Sequence, residues 1–239
     1  MIPSDVALSF AFEATWPAAE TVDTGALRSG RGLGAGGRVS SSIALRPDWD
    51  EAQIGAAEDV HRRWGQRPMF RLPDCDEDLR GALMRRGYQR ETPTAILAAE
   101  CAALVADLPE MTAIAVWPPL AIQRDLWAAG NIGPARQAVM DRVPGPRTSI
   151  IGRIDDRAAG AAFVALAGSV AMIHGIEVAS QFRRRGLAGW MIRKAARWAQ
   201  ENGATRLGLA VSRSNAGARA VYDRLGFHEL GSYAYWARD

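Results

Sequence analysis

The residues Arg183-Arg184-Arg185-Gly186-Leu187-Ala188-Gly189 have the types and spacing to hold an anion. An apolar run over residues 172–178 precedes them and predicts a buried strand, with Ala179-Ser180-Gln181-Phe182 as the loop between. After them Leu187, Trp190, Met191, Ala195 and Trp198 recur at helical spacing, which predicts a long amphipathic helix. A strand that feeds a glycine-bearing turn at a helix N-terminus aims the unpaired N–H groups of the first turn outward, and the helix dipole adds partial positive charge. Arginines beside such a turn favour a phosphate. Gly186 lets backbone approach a phosphate with no Cβ in the way, and Leu187 and Ala188 offer backbone donors.

The elements that must position this turn follow from pattern. Residues 1–37 predict a strand or two and a glycine-rich loop from Gly25 to Gly37. Ser29-Gly30-Arg31-Gly32-Leu33-Gly34 in that loop mimics a phosphate-binding turn, but residues 38–45 then predict a strand rather than a helix, so no cofactor is placed there. Asp48 or Asp50 caps a helix through Ile54, Ala57, Val60 and Trp64. Residues 69–72 form a strand, Asp76 or Asp78 opens a helix that stops at Gly87, and residues 88–98 return as a strand. A compositional shift with Pro109 marks a boundary near 105–111. Beyond it come a strand at 112–116, helices at 120–129 and 132–143, strands at 148–154, 159–166 and 170–178, and the helix already described. A strand at 206–211, a helix at 216–225 and a strand at 227–236 close the chain. This order predicts a mixed sheet in an α/β layer architecture. Residues 79–91 and 218–230 echo one another, with helix, glycine and aromatic at matching spacing.

The second half resembles the GNAT superfamily of N-acetyltransferases. The resemblance rests on Arg183 to Ala188, which is similar to the family's Arg/Gln-x-x-Gly-x-Gly/Ala turn, and on Asn215 to Phe227, similar to its Asn-x-x-Ala-x-x-x-Tyr helix and Leu-Gly-Phe close. It implies the acyl-CoA N-acyltransferase fold over residues 109–239, with residues 1–108 as a degenerate GNAT-like module: the first half has no matching turn, and Leu83 stands where Tyr222 stands. It further implies acetyl-CoA as cofactor, in the splay between the strand ending at Val178 and the strand at 206–211. Arg183 to Gly189 would hold its pyrophosphate, and the main chain of Ile176 and Val178 the pantetheine arm and thioester. Asn215 contacts the pantetheine, caps its helix, or does both. Tyr222 is the implied general acid for the departing thiolate, and a structural tyrosine is the plainer alternative. Glu177 is a base acting through a water, or a carboxylate facing solvent or an arginine. His174 alternates to the strand's other surface and reads as structural. In enzymes that acetylate N-termini of ribosomal proteins a Glu base stands at the position of Ala210, so its absence counts against that substrate class.

Composition sets the outer limits. Hydrophobic residues make up 48% and charged residues 23% of 239, as in ordinary globular proteins. The pI of 9.2 accompanies a net charge of only +3, with arginines dispersed among acids and Lys194 the only lysine, which argues against nucleic acid as a partner. No apolar run reaches the roughly 18 residues that span a bilayer, and no signal peptide is read, so a cytoplasmic enzyme with no membrane partner is expected. Cys75, Cys101 and three scattered histidines make neither a disulfide framework nor a metal cluster. The expected partner is a small-molecule or peptide amine, the expected state monomer or homodimer, and a non-catalytic acyl-CoA binder is the alternative.

Overall fold

A computed structural model describes residues 5–238. The N-terminal half holds α1 (Val6–Ala14), β1 (Glu20–Thr24), β2 (Leu27–Arg31), β3 (Ser42–Ala44), α2 (Glu51–Arg63), β4 (Met69–Pro73), α3 (Glu77–Arg85), β5 (Gln89–Glu100) and α4 (Cys101–Leu104). The C-terminal half holds β6 (Ala113–Val116), α5 (Ala121–Ala129), α6 (Pro134–Arg142), β7 (Arg147–Ile154), β8 (Arg157–Ala167), β9 (Val170–Val178), α7 (Leu187–Glu201), β10 (Arg206–Ser212), α8 (Ala216–Arg224) and β11 (His228–Ala237).

The strands form one sheet in the order β1-β2-β3-β4-β11-β5-β10-β9-β8-β7-β6. Read inward from β1 on one side and, past the extra antiparallel edge strand β6, from β7 on the other, the order has the same pattern. An antiparallel hairpin (β1–β2 or β7–β8) leads to a third antiparallel strand, then to a parallel neighbour (β3–β4 or β9–β10), then to an antiparallel strand borrowed from the other half. The borrowed strands are β11 and β5, and they pair with each other at the centre. Helix α7 lies on one face over Leu187, Met191, Ile192 and Ala195, in a core shared with Ala95 and Leu97 of β5. Helix α1 lies on the other face, where Leu8 and Phe12 meet Ile96, Ala98 and Met172.

Three local expectations need correction, and one set of alternatives is resolved. Residues 1–37, expected to hold a strand or two and a glycine-rich loop, also contain helix α1, because Leu8, Ala11 and Phe12 bury one helical face and Asp5 Oδ1 accepts from Leu8 N at 2.9 Å as a cap; residues 1–4 of that stretch lie outside the described residues. The stretch expected as a loop from Gly25 contains β2, which pairs with β1 around a turn where Gly25 has φ +73°. Strand 38–45 shortens to Ser42–Ala44, preceded by a 3-10 turn at Gly37–Val39. Of the alternative caps, Asp50 and Asp76 bond the first turns of α2 and α3.

A fragment of residues 109–239 lacks β5, so β10 and β11 would each present an unpaired edge. We expect it to be non-monomeric or to aggregate in light scattering, whereas the full chain melts cooperatively. A monomeric fragment with a sharp transition would contradict the strand exchange.

Candidate active site

Strands β9 and β10 pair in parallel only from Arg206↔Val170 to Gly208↔Met172, and then part. A bulge in β9 accompanies the parting. Its register against β8 shifts between Glu177 and His174, and Gly175 takes φ +56°, where a side chain is disfavoured. The Gly175 carbonyl accepts from Trp127 Nε1 at 2.8 Å, and Trp127 is fully buried, so α5 pins the bulge from behind.

The gap is a cavity of about 410 Å³. Ile173 to Ile176 line one side, Leu209 to Ser212 the other, and Asn215 and Tyr222 the α8 end. Asn215 does two jobs by position: its Oδ1 accepts from Ala218 N at 3.1 Å as the α8 cap, and its side chain borders the gap. Tyr222 is 8% exposed, packs its ring against Phe227 at 5.8 Å, and its hydroxyl makes no protein hydrogen bond among the described residues. Burial pushes its phenol up to about 12, so it is protonated at neutral pH.

Helix α7 follows β9, the strand that forms one wall of this gap, and Leu187 of its first turn packs in one core with Ile176 and Val178. Gly186 occupies its N-cap with φ +83°, no side chain caps it, and no acid stands in its first turn. By contrast α1, α2, α3 and α8 are all capped by Asp or Asn side chains. The first N–H groups of the longest helix in the described chain are thus left for another acceptor. The preceding arginines are turned elsewhere. Arg183 pairs with Glu177 at 2.9 Å and donates to Val178 O at 2.9 Å, and Arg185 pairs with Asp155 at 2.9 and 3.1 Å. Arg184 is exposed, with φ +66°. Leu187 is buried, while Ala188 and Gly189 are half-buried on the first turn.

Ile176, Asn215 and Tyr222 therefore share one cavity, and Glu177, Val178 and Arg183 form a cluster next to it. The Glu177 carboxylate packs over Gly130, where an added Cβ would stand 2.4 Å from its Cδ. His174 lines the cavity but is engaged on both nitrogens, with Thr15 Oγ1 at 2.9 Å from Nε2 and Arg38 Nη1 at 3.4 Å from Nδ1. Burial, then Arg38, lower its pKa well below 6.5, which keeps it neutral. The remaining wall comes from residues that the sequence pattern does not mark as part of the site. Trp16, the glycine-loop residues Ala35 to Arg38, Arg136 and Tyr235 close the cavity. The residues that follow the phosphate-turn mimic Ser29–Gly34, not the mimic itself, serve as a wall contributed by the N-terminal half. Gly175 inside an apolar run was the available sign of the bulge.

A fold of this kind, with a parted parallel pair joined by an uncapped helix, defines an acyl-CoA N-acyltransferase architecture. Residues 111–227 match the model of the Acetyltransferase (GNAT) family, one of acyltransferases, and form a domain of that family. No curated protein matches the sequence. Among solved structures, a GCN5-related N-acetyltransferase from Kribbella flavida is similar over 98% of this chain and 96% of its own, with 19% identity and a TM-score of 0.76. A functionally unknown conserved protein from Staphylococcus epidermidis is similar over 94% of each chain, at 13% identity and a TM-score of 0.68. A tandem GNAT protein from the clavulanic acid biosynthesis pathway is similar over 83% of this chain and 74% of its own, at 14% identity and a TM-score of 0.59. At these identities the likeness is one of fold. Among the described residues no helix is long and apolar enough to cross a membrane, and no group of His, Cys, Asp and Glu is placed to hold a metal.

Two buried histidines give the fold a pH dependence. Burial lowers His61 to about 4, with Ser42 Oγ at 2.9 Å from its Nε2, and His174 is also lowered. Both bind protons more weakly folded than unfolded, so stability is intact above about 6.5 and falls as pH drops below it, by up to about 1.4 kcal/mol per pH unit for each. Urea titrations between pH 7 and pH 5 should show that loss, and the His61→Gln and His174→Gln variants should each flatten it. A pH-independent midpoint in the wild type would refute the neutral-histidine assignment.

Proposed function

We propose that the chain transfers the acetyl group of acetyl-CoA to a primary amine by direct attack of the amine. The observation that carries this reading is the uncapped, acid-free N-terminus of α7 at Gly186, set beside the parted strands β9 and β10. Backbone N–H groups of Gly186, Leu187, Ala188 and Gly189 would bind the pyrophosphate, with Arg183, Arg184 and Arg185 adding charge around it. Beyond Met172 the β10-facing edge of β9 has no strand partner, so the main chain at Ile176 and Val178 is the natural partner for the pantetheine arm. Asn215 borders the same path.

Bound acetyl-CoA supplies a thioester carbon open to nucleophilic attack. The chain's residues hold the amine in line and manage two protons. Tyr222 gives its phenolic proton to the sulfur as the C–S bond breaks and the C–N bond forms. Its raised pKa keeps that proton in place across the working range. Glu177 takes the proton of the amine through a water. It is the carboxylate on β9 beside the proposed thioester position, and Arg183 fixes its direction. No carboxylate lines the cavity between β9 and β10, whereas Arg38 and Arg136 do. That charge pattern suits an acceptor with one amine and a neutral or anionic remainder, and opposes a polyamine. The same reading places the protein in the cytoplasm.

Two experiments test this. Acetyl-CoA should raise the melting temperature of the wild type, because a ligand of the folded state stabilises it. Gly186→Glu should abolish that shift while still folding; wild type that melts identically with and without acetyl-CoA would overturn the cofactor site. In an amine screen, Tyr222→Phe should lower kcat by about 10²- to 10⁴-fold at unchanged acetyl-CoA affinity. Single-amine acceptors should outperform spermidine in the wild type. Full kcat in Tyr222→Phe would remove the general acid, and a preference for spermidine would remove the charge argument.

A further inference from the structure

A larger cavity, about 870 Å³, lies in the N-terminal half. Strands β3 and β4 pair at Ser42↔Phe70 and then part, as β9 and β10 do, and Ile43, Leu45 and Arg71 beyond the parting line this space. It thus stands in the first half where the candidate active site stands in the second. It is not a second coenzyme site. Helix α2, which takes the place of α7, is capped by Asp50 Oδ1 on Gln53 N at 2.8 Å and carries Glu51 in its first turn, so its N-terminus repels phosphate.

The chemistry of this cavity lies on its floor. Arg71 is 6% exposed; its Nη2 meets Glu13 Oε1 at 2.5 Å and its Nη1 has no partner. Ser41 is 5% exposed with its Oγ unpartnered, and Arg38 Nε is buried and unpartnered. Both guanidiniums lie against the Phe12 ring, Arg38 at 3.6 Å and Arg71 at 5.0 Å from its centroid. Counting charge, Arg71 is offset by Glu13 and Arg28 by Asp23, and Glu20, on the rim, is held by Arg31. Arg38 has only the Phe12 carbonyl and neutral His174, and makes no ion pair among the described residues. Burial lowers it to about 10, which leaves it charged at neutral pH. A buried cation without a counter-charge, beside two buried donors without acceptors, is costly unless an anion completes it. Apart from Ser9, Thr21, Ser232 and Tyr233 the rest of the lining is apolar, with Phe10, Pro17, Ile43 and Ile96 among it.

We propose that this cavity is a binding site for a monocarboxylate with an apolar body, its carboxylate received by Arg38, Arg71 and Ser41 and its chain lying between α1 and the parted strands. One uncompensated charge matches one carboxylate, and the apolar walls match a hydrocarbon or aryl body. The proposal stands apart from acetyl transfer and does not rest on it.

Calorimetric titration with octanoate, octan-1-ol and octylamine tests it. Octanoate should bind the wild type at least about tenfold more tightly than octan-1-ol, and octylamine should not bind. Arg71→Met should erase the preference for octanoate over octan-1-ol, and Ile43→Trp, which fills the space, should weaken both. Both residues line this cavity and not the one between β9 and β10, so loss in either places the ligand here. Equal affinity for octanoate and octan-1-ol, no binding of octanoate, or unchanged binding in the variants would overturn the proposal. If Arg71→Met does not fold, Ile43→Trp and Ser41→Ala decide it by the same criteria.

Discussion

The antiparallel pairing of β5 with β11 at the centre of the sheet is the constraint on which the rest depends. Each strand ends one half of the chain and lies inside the sheet of the other, so β5 is hydrogen-bonded to β10 on one side and β11 on the other. Neither half can move without breaking ladder bonds that belong to both. Through this pair the C-terminal half gains a buried flank for β10, the strand that forms one wall of the candidate active site. The two faces of β5 feed two cores, with Ala95 and Leu97 packing toward α7 and Ile96 and Ala98 toward α1. Rigidity in the centre leaves the parallel pairs free to part farther out.

That parting is where the two halves diverge chemically. In the second half the bulge at Gly175, held by Trp127, opens a gap beside a helix whose first turn carries neither cap nor acid. In the first half the equivalent gap has a helix closed by Asp50 and Glu51, while positive charge has shifted to Arg71 on β4 and Arg38 on the 3-10 turn before β3. The same backbone plan thus presents a helix terminus to a ligand in one place and guanidinium groups in the other. Arg38 borders both spaces.

What could be read from sequence was local. The echo between residues 79–91 and 218–230 corresponds to matching geometry. Gly87 and Gly226 have φ +81° and +79°, Tyr88 N and Phe227 N each donate at 3.0 Å to the residue five places back, and Asp76 and Asn215 cap their helices. Spacing encodes such features directly. The uncapped turn at Gly186 was legible for the same reason. The exchange of β5 and β11 was not, because pairing between strands far apart in sequence leaves no periodic mark. Helix α1 is not marked by periodicity either: Phe10 and Phe12 alternate as in a strand, and only tertiary burial of Leu8, Ala11 and Phe12 decides the matter. The pairing of Glu177 with Arg183, and the role of the glycine loop as a wall, likewise depend on partners that the sequence does not juxtapose.

The covalent link through residues 105–112 has a consequence of its own. Two separate modules that traded strands would obey mass action and fall apart on dilution, whereas tethered modules experience a fixed effective concentration of one another. The chain's integrity is therefore independent of how much of it a cell makes. A homodimer must also apply every substitution twice. Here the halves drift separately, so a residue such as Tyr222 can be kept in one while Leu83 fills the matching place in the other.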